Sequence, residues 1–280
     1  MRDPYVIMVA PNGARRTKSD HPNLPMTLDE IVSAVADAQA AGAQCAHVHV
    51  RDDDGNHILD ARSYLRLTEA LRQRCGDDLV IQITTEAVDR YTAEQQRALV
   101  RDVKPEAVSI ALRELFAQSV QQQENYEFLQ WAYEENIAVQ WIVYDPSELK
   151  LVGAMIEAGV APKDVHLLFV LGRYSLGQRS KPSDLVPFLT ALQNAPTLES
   201  AAWSVCAFGQ GETACLATAL ALGGDVRVGF ENNLLNADGS IAKSNAERVS
   251  AIIKCADGLG FPIADPKIAR AKIIENRSYA

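Results

Sequence analysis

Long apolar runs, paired cysteines and basic clusters are all missing from this sequence, and each absence removes a class of function. The chain opens with an apolar stretch of only six residues, Tyr5 to Ala10, closed by Pro11-Asn12-Gly13. A membrane span needs roughly 20 apolar residues, and a secretory leader needs a longer apolar region with a small-residue cleavage site. Neither pattern occurs, so a cytoplasmic protein without membrane partners is expected. The five cysteines (Cys45, Cys75, Cys206, Cys215, Cys255) are odd in number and form no Cys-x-x-Cys pair. They read as reduced thiols, with no disulfide or cysteine–zinc signal. Formal net charge is -9 with no long basic run, which argues against nucleic acid as the main partner.

What is present is ordinary globular composition, 48% hydrophobic and 22% charged, over 280 residues. That length suits one α/β barrel of about 250 residues, and residues 1–280 read as a single domain. Eight β-branched runs recur about every 30 residues: Tyr5–Ala10, Cys45–Arg51, Leu79–Thr85, Ala107–Leu112, Ala138–Tyr144, Val165–Leu171, Ala201–Phe208 and Asp225–Glu231. Segments of helical period lie between them. One, Thr27–Ala41, begins with the capping box Thr27-x-x-Glu30 and stops at Gly42. Eight tandem βα units without a linker favour a closed (β/α)8 TIM barrel with its active site at the carboxyl ends of the strands. The competing open doubly wound sheet is weakened because no Gly-x-Gly-x-x-Gly follows the first run.

Chemistry is concentrated in two of these strands. The second reads Cys45-Ala-His47-Val-His49-Val-Arg51-Asp52. Alternation puts His47 and His49 on one face, with α-carbons roughly 6–7 Å apart, close enough for both imidazoles to reach one ion. The eighth reads Val226-Arg227-Val-Gly229-Phe-Glu231-Asn232-Asn233, with Arg227, Gly229 and Glu231 on one face, Gly229 leaving room for the arginine. Residues of the second and eighth strands can meet over the barrel mouth, and two histidines with one carboxylate leave coordination positions open, as in a catalytic zinc site. The other histidines supply no second metal: His166 opens the sixth strand at the stability face, and His21 and His57 are placed in loops.

Further motifs complete a pattern. They are Gly13-Ala14 with Asp20-His-Pro-Asn-Leu-Pro25, Phe169-Val-Leu-Gly172, Trp203 with Gly209, and Gly223-Gly224-x-x-Arg227 running into Glu231-Asn232-Asn233. Together with His47-Val-His49-Val-Arg51-Asp52 they resemble the β-keto acid cleavage enzymes over Val9 to about Asn276. The resemblance implies a zinc-dependent, tetrameric barrel that converts a β-keto acid and acetyl-CoA into acetoacetate and an acyl-CoA. It places the ligands on His47, His49 and Glu231, though another divalent metal would fit the same set. It also places Gly209, with Arg15, Ser109 and Arg113, in substrate binding.

Departures from the family are as informative. Its serine–arginine–aspartate base relay falls on Thr84, Arg227 and Asn232, and Asn232 cannot accept a proton as a carboxylate does. Glu86 stands where the family more often has glycine and can supply the lost carboxylate, or can simply pair with Arg113 or Arg51. In the first loop, Arg15 replaces a glutamate suited to an amino substrate, which points to a substrate with a second anionic end, the alternative being that Arg15 faces outward to a coenzyme A phosphate or solvent. The loop Gly172-Arg-Tyr-Ser-Leu-Gly-Gln-Arg-Ser-Lys181 offers cations for the phosphates of coenzyme A. Two other readings stand beside this one: a metal-dependent aldolase or lyase without coenzyme A, and a metal-binding barrel without turnover.

Overall fold

Short apolar runs buried on both faces can only be accommodated where helices cover a sheet from outside and side chains fill it from within. A computed structural model shows that arrangement and describes residues 3–117 and 122–275; the far end of the resemblance near Asn276 lies outside them. In chain order the elements are β1 (Ile7–Val9), α1 (Leu28–Ala40), β2 (Cys45–Val48), β3 (Val50–Arg51), β4 (His57–Ile58), α2 (Ala61–Cys75) and β5 (Val80–Thr84). Then follow α3 (Ala93–Val103), β6 (Ala107–Ala111), α4 (Leu112–Leu115), α5 (Gln122–Glu134), β7 (Ala138–Val143), α6 (Leu149–Glu157) and β8 (His166–Leu171). The last are α7 (Val186–Gln193), β9 (Ala202–Ala207), α8 (Glu212–Ala221), β10 (Asp225–Val228), α9 (Asn245–Gly258) and α10 (Pro266–Arg270).

Strands β1, β2 and β5 to β10 pair in parallel in that order, and β10 returns to β1 to close a TIM barrel. Each of the eight strands lies within one of the eight sequence runs. The capping box also forms: Thr27 accepts from the Glu30 amide while the Glu30 side chain takes the Thr27 amide. Two runs end early. The second leaves the barrel at Val48, and Val50–Arg51 pairs antiparallel with His57–Ile58 instead. The eighth stops at Val228 and turns, with the amides of Asn232 and Asn233 both donating to Gly229 O.

Side chains fill the interior in layers. At the amino-terminal end, Val6, Met8, Cys45, Val80, Ala107 and Ala138 pack against Ala264, Ala269 and Ile273, so residues 264–273 plug the barrel. Lys272 secures that plug through an ion pair of 2.7 Å with Asp225. Near the mouth, Ala111, Ile142, Leu168, Val170, Cys206 and Phe208 form a second apolar cluster. Between these runs a polar layer that includes His47, Gln82, Gln140 and Ser204, all buried. All five cysteines are unpaired, and among the described residues no helix is long and apolar enough to cross a membrane.

Candidate metal centre and active site

His47 lies inside β2, and His49 follows where the strand has ended. Beyond Val9 no strand neighbour is left for His49 on that side, and the Asn12 side chain takes the place: its Nδ2 donates to His49 O at 2.9 Å and its Oδ1 accepts from His49 N at 3.4 Å. The mimic keeps His49 in line after the ladder stops. Glu231 arrives from the other side on the turn after β10 rather than on the strand itself. Gly229 makes that turn with a φ of 144°, and a side chain there would collide with Ala10 O. The glycine therefore admits the backbone of the first strand's end, rather than giving the arginine side chain room as its place in the sequence suggests.

Three donor atoms converge at the mouth. His47 Nε2 and His49 Nε2 lie 3.0 Å apart, and Glu231 Oε2 sits 3.5 Å from the first and 3.3 Å from the second. A tetrahedral ion with bonds of about 2.0–2.1 Å has ligand–ligand edges of about 3.4 Å. The triangle matches. Among the described residues this is the one cluster of histidine, cysteine and carboxylate groups that could hold a metal ion. Glu231 Oε2 is buried with no hydrogen-bond partner, as an oxygen reserved for a cation would be.

The electrostatics suit a cation. Burial holds the His47 imidazole well below its usual range, and the Arg227 charge adds to that, which favours the uncharged ring that a metal ligand needs. Burial opposes ionisation of Glu231, but Arg227, then His47 and His49, hold its carboxyl well below the usual range. Arg227 Nη2 donates to Glu231 Oε1 at 2.9 Å and approaches Cys206 Sγ at 3.5 Å, while its Nε and Nη1 are buried without partners. Two donors of a fixed fork are thus free for a ligand.

Glu86 lines the same cavity. Its Oε1 is 3.6 Å from Arg15 Nε and its Oε2 is 4.0 Å from His49 Nδ1, a nitrogen with no hydrogen-bond partner. It does not pair with Arg113, which binds Glu148 at 2.8 Å and stacks over Tyr144 and Tyr174. Thr84 is buried, and its hydroxyl accepts the Glu86 amide at 3.0 Å, so it shapes the loop carrying that carboxylate. Asn232 is fully buried with its side-chain nitrogen and oxygen both unpartnered, so it makes no hydrogen bond to Arg227 of the kind a base relay needs.

The cavity carries Arg15, Arg16, Arg173 and Arg227 against Glu86 and Glu231, with Tyr144 and Phe208 beside them. The Arg16 guanidinium donates through Nη1 to Phe230 O and through Nη2 to Asn232 O. Arg15 is half-exposed at the rim between Glu86 and Asp89. Ser109, Arg113 and Gly209 are not among the lining residues: Ser109 is fully buried, and Gly209 packs tightly against Gln178 O. Of the loop after β8, Arg173 and Gln178 reach the cavity, whereas Arg179 borders a separate groove with Gly209 and Gly211.

Two histidines sit elsewhere than their sequence positions suggest. His57 is buried in β4 rather than in an open loop, with its ring 5.0 Å from that of His49 and its Nε2 donating to Glu86 O at 3.0 Å. Burial, with the neighbouring His49, pushes it down to about 3. His21 is buried against Phe230 and bonded to Ala242 O at 2.8 Å. His166 does face the interior, beside Gln140, but at the amino-terminal end. Asn12, Gln82 and Glu212 were not singled out by motif. For Gln82 the signal was present: a polar residue at an inward position of an otherwise apolar run.

The sequence profile described as "beta-keto acid cleavage enzyme" matches residues 4–274. A 3-keto-5-aminohexanoate cleavage enzyme of Fusobacterium nucleatum is 30% identical over 277 residues, covering 96% of this chain and 97% of that one. A 3-oxoadipate:acetyl-CoA acetyltransferase of Cupriavidus necator is 27% identical over 279 residues, with 97% and 95% covered. Among solved structures, apo ObcA superposes with a TM-score of 0.68 at 18% identity, over 90% of this chain and 65% of that chain. This last likeness concerns the fold alone.

Proposed function

Because this chain belongs to the β-keto acid cleavage enzyme family, we propose that it exchanges the acyl part of a β-keto acid with acetyl-CoA, yielding acetoacetate and a new acyl-CoA. The observation that carries this reading is the His47–His49–Glu231 triangle opening on a cavity with four arginines and two glutamates. In this reading the triangle holds zinc, which when bound polarises the keto oxygen and lowers the cost of removing the neighbouring proton.

The chain's own residues do the rest. The cationic cavity draws in the substrate carboxylate, and Arg227 offers it two unpaired donors. Glu86, the carboxylate at the wall that is not in the triangle, takes the proton from C2. That carbon bonds to the acetyl carbonyl as the coenzyme A thiolate leaves. The thiolate then adds to the original keto carbon, and the bond between C2 and that carbon breaks. Glu86 returns its proton to C2 as acetoacetate departs, so atoms and charge balance. Cations of the loop after β8 serve the phosphates of coenzyme A.

The surplus of positive charge extends the proposal to the substrate. Arg15 at the rim favours a β-keto acid with a second anionic end, and it repels an ammonium. The Cupriavidus relative is named for 3-oxoadipate, an acid of that kind. A cytoplasmic homotetramer completes the reading. The test is incubation of the purified protein with acetyl-CoA and a panel of β-keto acids. Acetoacetate formed together with a new acyl-CoA supports it. Cleavage without consumption of acetyl-CoA would point to a lyase instead, and ligand binding without turnover to a binding barrel.

A further inference from the structure

We propose that Gln82, Gln140 and Ser204 form a polarised hydrogen-bond chain that fixes the tautomer of His47 and leaves its Nε2 lone pair free for the metal ion. The inference rests on the metal reading of the triangle but concerns residues that touch neither ion nor substrate. Four barrel strands supply the links, and every side chain in the chain is buried.

The direction of the chain is set at its far end. Leu167 O is a backbone carbonyl and only accepts, so the Ser204 hydroxyl, 3.2 Å away, must donate to it. The Ser204 oxygen is then left to accept from Gln140 Nε2 at 3.3 Å. The same amide nitrogen lies 3.4 Å from His166 Nε2, a second acceptor for its second hydrogen. With its NH2 turned to that wall, Gln140 presents Oε1 to Gln82 Nε2 at 3.3 Å. Gln82 in turn presents Oε1 to His47 Nδ1 at 2.8 Å. A carbonyl oxygen there requires a hydrogen on Nδ1.

In a neutral imidazole, the form in which histidine binds a metal ion, a hydrogen on Nδ1 leaves Nε2 bare. Nε2 is the atom that faces His49 and Glu231. Reversing any one amide would set two donors or two acceptors against each other in a buried layer. The tautomer of a candidate ligand on β2 is thereby dictated by a carbonyl on β8, and Gln82, Gln140 and Ser204 act as positioning residues.

The test uses the full chain, with histidine 15N spectra of the metal-free protein and zinc affinity by chelator competition. The expected wild-type spectrum shows His47, assigned by its loss in His47→Ala, with its hydrogen on Nδ1. Gln82→Leu should admit the other tautomer and weaken zinc binding by about 10–100-fold. Gln82→Glu keeps an acceptor at Nδ1 and should bind zinc within about threefold of wild type or more tightly. Gln140→Leu, one link further away, should shift the tautomer in the same sense as Gln82→Leu. A purely packing role would lower Tm in these variants without moving the tautomer or separating glutamate from leucine. A wild-type hydrogen on Nε2, or a tautomer unmoved in both leucine variants, overturns the proposal. If wild type binds no zinc, the metal reading fails, and the spectra alone decide the chain.

Discussion

A β-carbon added to Gly13 would lie 2.5 Å from Cγ of Glu231, closer than carbons that are not bonded to one another tolerate. Gly13 also holds a φ of 62°, so its loop and the turn bearing the carboxylate are fitted to one another. Gly13→Ala should therefore displace Glu231 and lower metal affinity by about tenfold or more while the barrel stays folded. Chelator competition with parallel circular dichroism checks this. Unchanged affinity would show that the carboxylate is placed independently of the first loop.

Purified protein should carry about one divalent ion per chain. His47→Ala, His49→Ala and Glu231→Gln should each lose most of it, because the remaining two ligands cannot replace the third. Elemental analysis of the variants measures the outcome. Stoichiometric metal in the double variant His47→Ala/His49→Ala would remove the triangle from consideration.

Proton abstraction separates two side chains. Glu86 lines the cavity, whereas Asn232 is fully buried and is not among its lining residues. Glu86→Gln should lower kcat by about a hundredfold or more with metal content intact, and Asn232→Ala should cost less. The reverse order of damage would make Asn232 the organising group and Glu86 a partner for Arg15.

Substrate charge tests Arg15. Wild type should give its highest kcat/KM with a β-keto diacid, then a neutral β-keto acid, then a cationic one. Arg15→Glu should shift preference toward the cationic substrate. No shift, or a wild-type preference for the cation, would place the selecting charges on Arg16 and Arg173 or outside the cavity.

Glu114 supplies a pH signature. Burial, with the nearby Glu86 charge, pushes its carboxyl up to about 7, although the Ala87 amide and Gln96 oppose this. A raised folded-state value means that the neutral form's contribution is complete below the usual value near 4.5 and fades as pH rises through about 7. Glu114→Gln should therefore raise Tm at pH 8 by about 2 °C or more and change it little at pH 4.5. Equal effects at the two pH values would show that burial of Glu114 is not what limits stability.

The barrel was legible because β-branched runs alternate with helical periods, and the closed parallel order follows from eight such units. The ends of the second and eighth runs were not. Val50–Arg51 and Phe230–Glu231 continue their patterns smoothly, and only tertiary partners, His57–Ile58 for one and the Gly229 turn for the other, end the strands before them. His47 and Glu231 come together as spacing implied, but by a turn rather than by strand alternation. Glu212 could not have been found. Its buried pairing with Arg248, at 2.9 Å, and its reach to Asn233 tie down the turn from outside the barrel, and nothing local marks a glutamate for that task.

β1, the first strand, is flanked by β2 and by the last strand, β10, and the triangle lies across this junction of early and late chain. Two donors come from the start of the polypeptide and one from near its end, so no fragment made of either half owns the set. An ion held there acts as a clasp on the seam. Its free energy of binding is available only to the closed cylinder and is lost by any state in which the first and last strands part. A metal affinity measured at this triangle would therefore double as a gauge of barrel closure.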